Sequence, residues 1–278
     1  MERSRLLQCL AADYMRLREV AGTGLTAPVP SCPGWTVTDL LRHVGQVYLH
    51  KATVMHTGAW PDPWPPEETR AEPPIALLDR AYGALTHAFS RRGDTDPALT
   101  WHAPDQTAKF WIRRMAQETV IHRLDAELAL HTESDPIPED LALDGIDEVL
   151  SLFVAYGSRA WHEDFAEVLS TAKGRTVRVE VTPAASRAWL VRTDPAGASV
   201  SAVPSPGARS AQSFPAAQPV PTVQIAPDAV VSGPPAAVLR WLWARESTPT
   251  ADAPTPVRVE GDEEAIKELR ALLTASTQ

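Results

Sequence analysis

Residues 105–135 read DQTAKFWIRRMAQETVIHRLDAELALHTESD, a proline-free run between Pro104 and Pro136. Proline lacks the amide donor and clashes with the preceding turn, so a long helix has to fit between prolines, and this run holds one over roughly 106–131. Within it Trp111, Met115, Glu118, His122, Asp125 and Ala129 recur at spacings of 4, 3, 4, 3 and 4. That is one stripe, of the kind a helical bundle turns inward. It places a carboxylate and an imidazole one turn apart on a face that begins with Trp and Met. A bare carboxylate is costly to bury, so something must compensate it.

The other proline-free gaps are 1–27, 34–60, 75–96 and 139–182. The first three predict helices near 4–24, 36–56 and 75–92, and the last a helix followed by a strand. The second helix has a clear start: Pro33-Gly34-Trp35 makes a turn, Thr36 can cap, and Asp39 stands at capping-box spacing. Its inward stripe is Thr36, Leu40, His43, Val47, His50 and Val54, which brings a second imidazole to face the first. Four long helices, with a Pro-rich loop from Trp60 to Pro74 joining the second to the third, predict an antiparallel four-helix bundle.

From Thr176 the periodicity changes from 3.6 to 2, through Thr176–Val181 and Ala188–Arg192, with short strands expected at Thr222–Ile225 and Val257–Val259. Helices are expected over 234–245 and 263–273, and a Pro/Ala/Ser-rich surface loop over 203–221. The fold class is α+β in two domains, the bundle over 1–170 and a smaller α+β domain over 171–278.

Composition agrees with a packed chain. Twenty-six prolines in 278 residues is about twice the ordinary 5%, yet hydrophobic residues make up 44% and nine are Trp, unlike disordered chains. A formal charge of −9 and the lack of a Lys/Arg cluster argue against nucleic-acid or anionic-membrane partners. No leader or membrane-spanning run is read, so a cytoplasmic protein is expected, as a monomer or weak homodimer. Two cysteines, Cys9 and Cys32, are too few for a disulfide framework or a Cys-based zinc knuckle.

His43, Glu118 and His122 on facing helices form a three-ligand zinc set, which leaves the fourth tetrahedral position open, the mark of a catalytic site. Asp125 could orient His122 or touch a bound ligand. On spacing alone Glu118–His122 is also an ordinary surface pair, and Arg114, where the zinc-protease motif has His, speaks against protease chemistry. His50 could serve as ligand or base or be structural. His56, His87, His102, His131 and His162 read as surface residues, and Cys32 has no basic residue closely flanking it.

Three segments resemble one family. Val29-Pro30-Ser31-Cys32-Pro33-Gly34-Trp35-Thr36-Val37 with Asp39 through Gly45 is similar to the N-terminal signature of the mycothiol-dependent maleylpyruvate isomerase family. Glu118 through Glu127 resembles its second signature, with Leu124 where tryptophan is common. Gly233-Pro234, Leu239 through Arg245 and Val259 through Asp262 resemble its C-terminal domain, with Ala244 where glycine is usual. The resemblance implies a DinB-like bundle followed by a sterol-carrier-like domain. It implies His43, Glu118 and His122 as zinc ligands (another divalent transition metal being possible), with Asp125 beside the metal; Asp125, and His50 from the α2 stripe, are the candidates for contacting the thiol cosubstrate. It also implies Asp125 and Arg245 as catalytic or substrate-binding residues. The low-molecular-weight thiol mycothiol would attack a small-molecule electrophile in a cleft between the domains, with the loop from Trp60 to Pro66 as a lid or a structural cover. An S-transferase is the reading preferred here. The alternatives are a cis–trans isomerase of the maleylpyruvate type, a non-catalytic metal or small-ligand binding module, and a metal-dependent hydrolase.

Overall fold

The structure, a computed structural model, describes residues 1–182, 187–204, 226–246 and 257–277. The chain divides into two compact units, Met1–Leu141 and Ala142–Gln278.

The first unit is built on α1 (Arg3–Ala21), α2 (Val37–Thr57), a single turn α3 (Glu68–Ala71), α4 (Pro74–Ser90) and α5 (Ala108–Ala129), so all four long helices fall in the proline-free gaps. The expected cap forms: the Thr36 hydroxyl accepts from the Asp39 amide, and the Asp39 carboxylate accepts from the Thr36 amide at 2.8 Å. Gly34 supplies the left-handed turn before it, at φ 84°.

Side-chain pairs give the helix directions. Arg18 of α1 pairs with Asp79 while Arg3 reaches the Phe89 carbonyl, so α1 and α4 are antiparallel. His43 meets Glu118 while Lys51, two turns on, lies over Trp111, so α2 and α5 are antiparallel as well. In contrast α1 and α5 run the same way, with Asp13 on Arg123 and Arg16 on Glu127. The long connection over 58–73 carries the chain back along the bundle before α4 begins, a one-crossover form of the four-helix bundle. α2 and α4 approach closely at Gly45, where a Cβ would lie 3.0 Å from Leu77 Cγ and 3.4 Å from the Leu78 amide.

The helix α6 (Glu139–Glu148) crosses the boundary between the units. The second unit continues with a π-helix (Val149–Gly157), α7 (Ser158–Ala160), a 3-10 turn (His162–Phe165) and α8 (Ala166–Ser170). Residues 142–170 read as bundle from their helical periodicity, but the π-helix packs on β3 and α10 of this unit and α8 on α10. Periodicity reports a helix and which face is apolar, not what that face covers. The sheet contains β1 (Thr176–Val181), β2 (Arg187–Asp194), β3 (Gly197–Pro204), β4 (Ala229–Gly233) and β5 (Arg258–Gly261) in the order β3-β2-β1-β4-β5, antiparallel except for β1 against β4.

Two strands escaped the sequence reading. β3 is rich in Ala and Ser and leads into the stretch taken as a loop, and β4 is a short interior run, AVVSG, whose apolar and polar residues do not alternate although its burial does. The strand expected at 222–225 and most of the loop expected over 203–221 lie outside the described residues. α9 (Pro235–Leu242) and α10 (Glu263–Thr277) complete the unit. Just beyond α9 the backbone turns left-handed at Ala244, φ 54°, which accounts for glycine being usual there. Among the described residues no helix is long and apolar enough to cross a membrane.

Replacing Gly45 by valine should destabilise the protein by about 1–3 kcal/mol, because the branched side chain has to be forced between α2 and α4. Chemical denaturation checks this, and an unchanged midpoint would show that the helices separate freely.

Candidate metal centre

The stripes predicted for α2 and α5 do face each other. Glu118 Oε1 lies 3.2 Å from Nε2 of His122, one turn away on α5, and 3.2 Å from Nε2 of His43 on α2. The three donor atoms lie within 4.8 Å of one another, and the two imidazole rings meet edge to face at 5.0 Å. Nitrogen and oxygen ligands of tetrahedral zinc, bonded at about 2.0–2.2 Å, stand about 3.3 Å apart. The two Glu118 contacts have that separation, so the donor set fits such an ion.

The other atoms of these groups are held from behind. Arg114, one turn before Glu118, donates from Nη2 to Oε2, leaving Oε1 to the imidazoles. His122 Nδ1 donates to Asp125 Oδ2 at 2.9 Å, which turns Nε2 toward Glu118. Asp125 is fully enclosed, at 0% exposure. It accepts from Ser31 Oγ and lies 3.8 Å from Cys32 Sγ. The Ser31-Cys32-Pro33 turn that starts α2 therefore buttresses the carboxylate that orients His122.

Charge follows from this packing. Burial alone would raise the Glu118 carboxyl, but His122, Arg114 and the imidazole hydrogen bonds outweigh it and hold the group well below its ordinary range. Burial alone would lower His122, yet Glu118 and Asp125 push it up to about 9.

His50 does not join this cluster. Its ring sits 5.6 Å from that of Trp60 and 4.9 Å from that of Trp64, so the Pro/Trp-rich loop packs on it. Burial, then the neighbouring Lys51, pushes its pKa down to about 4, which keeps the imidazole neutral. Arg245 belongs to the second unit, where it is 7% exposed and its Nη1 donates to the Trp243 carbonyl at 2.5 Å. Sequence reasoning passed over Arg114, Ser31, Cys32 and Lys51 as parts of the site. Arg114 had a usable signal, its spacing of one turn from Glu118. Ser31 and Cys32 had none, since their contact with Asp125 spans most of the first unit.

Two family descriptions match this chain, "Mycothiol maleylpyruvate isomerase N-terminal domain" over residues 7–127 and "MDMPI C-terminal domain" over 140–268. The chain belongs to the mycothiol-dependent maleylpyruvate isomerase family. Two solved structures share its fold. One is the mycothiol-dependent maleylpyruvate isomerase, with 16% identity, a TM-score of 0.58 and coverage of 94% of this chain and 95% of that one. The other is a histidine-to-alanine variant of the mycothiol-dependent maleylpyruvate isomerase, with 15% identity, a TM-score of 0.55 and coverage of 88% and 90%. No curated protein sequence matches significantly. The family assignment makes the chain a member of an enzyme family, with the expected helical domain followed by a mixed-sheet domain.

His122 yields a pH test on the metal-stripped protein. Its folded pKa of about 9 lies above the ordinary value of about 6.5, so the stability it adds is fully present below pH ~6.5 and is lost as pH rises through about 9. The stability difference between wild type and His122→Gln should therefore shrink between pH 6 and 10. A difference independent of pH would show that the imidazole is not charged in the folded state.

Proposed function

We propose that this chain is a zinc-dependent, mycothiol-using cis–trans isomerase of the maleylpyruvate type. The observation that supports it is the single Glu118 oxygen 3.2 Å from two imidazole nitrogens, in a member of a thiol-dependent isomerase family. The S-transferase reading preferred from the sequence has no counterpart in the comparisons, whose named activity is isomerisation, so the isomerase alternative replaces it.

His43, Glu118 and His122 would hold the metal. When bound, zinc supplies the Lewis acidity that deprotonates a coordinating thiol outright, where a free thiol near neutrality is mostly protonated. Arg114 occupies Oε2 of Glu118 and would leave Oε1 for the metal. Asp125 fixes the His122 tautomer through Nδ1. Thiol and electrophile would enter from the side of His43, which is partly exposed. His50, neutral and set against Trp60 and Trp64, would line the thiol's surroundings, and Arg245 keeps the substrate-binding role the family motif implies. The reaction is addition of the thiolate to a carbon–carbon double bond conjugated to a carbonyl, rotation, and elimination that returns the thiol.

Purified protein should contain about one zinc per chain, and a His43→Ala, Glu118→Ala double variant should contain almost none. With mycothiol the wild type should convert a cis conjugated acid to its trans isomer and release the thiol unchanged. Tight zinc binding by the double variant would overturn the assigned ligands. Accumulation of a stable thioether would restore the transferase reading, and thiol-independent cleavage of an ester or amide substrate with uptake of water would favour hydrolysis by metal-activated water.

A further inference from the structure

Lys51 is a half-buried cation that the account so far leaves unused. It lies on α2 two turns beyond His43, on the face turned to α5. Its ammonium stands 4.7 Å from the centroid of the Trp111 ring, two turns before Glu118. Because α2 and α5 are antiparallel, Lys51 and Trp111 meet two turns along the same helix pair from His43 with Glu118 and His122. Its nearest polar neighbour is His50 Nδ1 at 3.3 Å, a neutral imidazole. Among the described residues no carboxylate lies within ion-pair distance of Lys51.

A lysine in such a place is costly. The face of Trp111 offsets part of the lost hydration, but the nitrogen has three donors and only one hydrogen-bonding partner among the described residues. A lysine on a packed helix face with no structural demand for charge could have been replaced by an apolar residue at no loss. Here it lies on the same α2–α5 interface as the metal cluster, two turns along it. Burial brings its pKa down to about 8, with Glu118 opposing and Arg114 adding to the shift, so the group is still largely charged near neutrality and releases its proton readily.

We propose that Lys51 receives the anionic oxygen of the electrophile, whether a carboxylate the substrate brings or the enolate oxygen formed when thiolate adds. The proposal rests on the thiol-isomerase reading of the neighbouring cluster. In the addition, sulfur bonds to the β-carbon and the π electrons pass to the carbonyl oxygen, which accepts a hydrogen bond or proton from Lys51 Nζ. After rotation about the new single bond the electrons return, the double bond re-forms, the carbon–sulfur bond breaks and the thiolate leaves. Lys51 then regains whatever proton it gave.

The test uses the full-length zinc-loaded protein as wild type, Lys51→Met and Lys51→Arg, with thermal unfolding to establish that all three fold. Without thiol, tryptophan fluorescence reports binding of maleate and of its uncharged diamide. With mycothiol, kcat and KM are measured for isomerisation of dimethyl maleate, which carries no charge until thiolate adds.

Recognition of a carboxylate predicts that Lys51→Met weakens maleate binding by about tenfold or more, the worth of one charged hydrogen bond, that Lys51→Arg retains most of it, and that diamide binding is unmoved. Stabilisation of the enolate predicts a similar fall in kcat for dimethyl maleate with KM unchanged, again restored by arginine. Equal maleate binding and equal kcat in wild type and Lys51→Met would overturn the proposal. Lys51-dependent maleate binding in a wild-type protein that isomerises nothing with mycothiol would leave the anion site standing and remove the isomerase reading.

Discussion

Glu118 Oε1 is shared by two imidazole nitrogens at 3.2 Å, one from its own helix and one from α2, and the first unit is arranged so that this largely enclosed charge can be tolerated. Arg114 takes the second carboxylate oxygen and Asp125 takes the far nitrogen of His122. The turn at the start of α2 then takes Asp125, through Ser31 and Cys32. Each buried polar group is answered by the next, which is what makes a charged cluster of this kind compatible with a packed core. Removing one member would leave its neighbour buried and unpaired rather than merely deleting a contact.

The helix arrangement follows the same demand. His43 and Glu118 can meet only if α2 and α5 are neighbours with matching faces, and the direction in which each runs decides what lies beside the cluster. With α2 and α5 antiparallel, the residues two turns away in each helix are Lys51 and Trp111, and the aromatic loop over 58–73 packs on His50 next to them. That loop also returns the chain so that α4 runs alongside α2, in contact at Gly45. One connection thus sets the topology and furnishes the aromatic surface next to the site.

Much of this was legible because helical spacing is a strong local signal. The 4, 3, 4, 3, 4 stripes placed Glu118, His122 and Asp125 on one face of α5 and His43 on one face of α2. The capping box at Thr36 and Asp39 set the register of α2 to within a residue. What pattern reasoning missed depends on contacts between residues distant in sequence. The Ser31 and Cys32 contacts to Asp125, and the lack of a carboxylate beside Lys51 among the described residues, follow from packing that no spacing rule reports. The same limit explains the second unit. The short interior β4 lacks alternation in its sequence, β3 resembles loop in composition, and residues 142–170 show helical periodicity without revealing that their apolar face covers a sheet and α10. The choice between transferase and isomerase was beyond the ligand set in principle, since both use the same three donors.

The central claim is that His43, Glu118 and His122 together hold a metal. Zinc-edge anomalous diffraction from crystals of the zinc-loaded protein tests it most directly. The account predicts one strong peak about 2.0–2.2 Å from Nε2 of both histidines and Oε1 of Glu118, with Arg114 still on Oε2. A peak elsewhere, or the Glu118 carboxylate and both imidazoles hydrogen-bonded to one another with no peak between them, would contradict it.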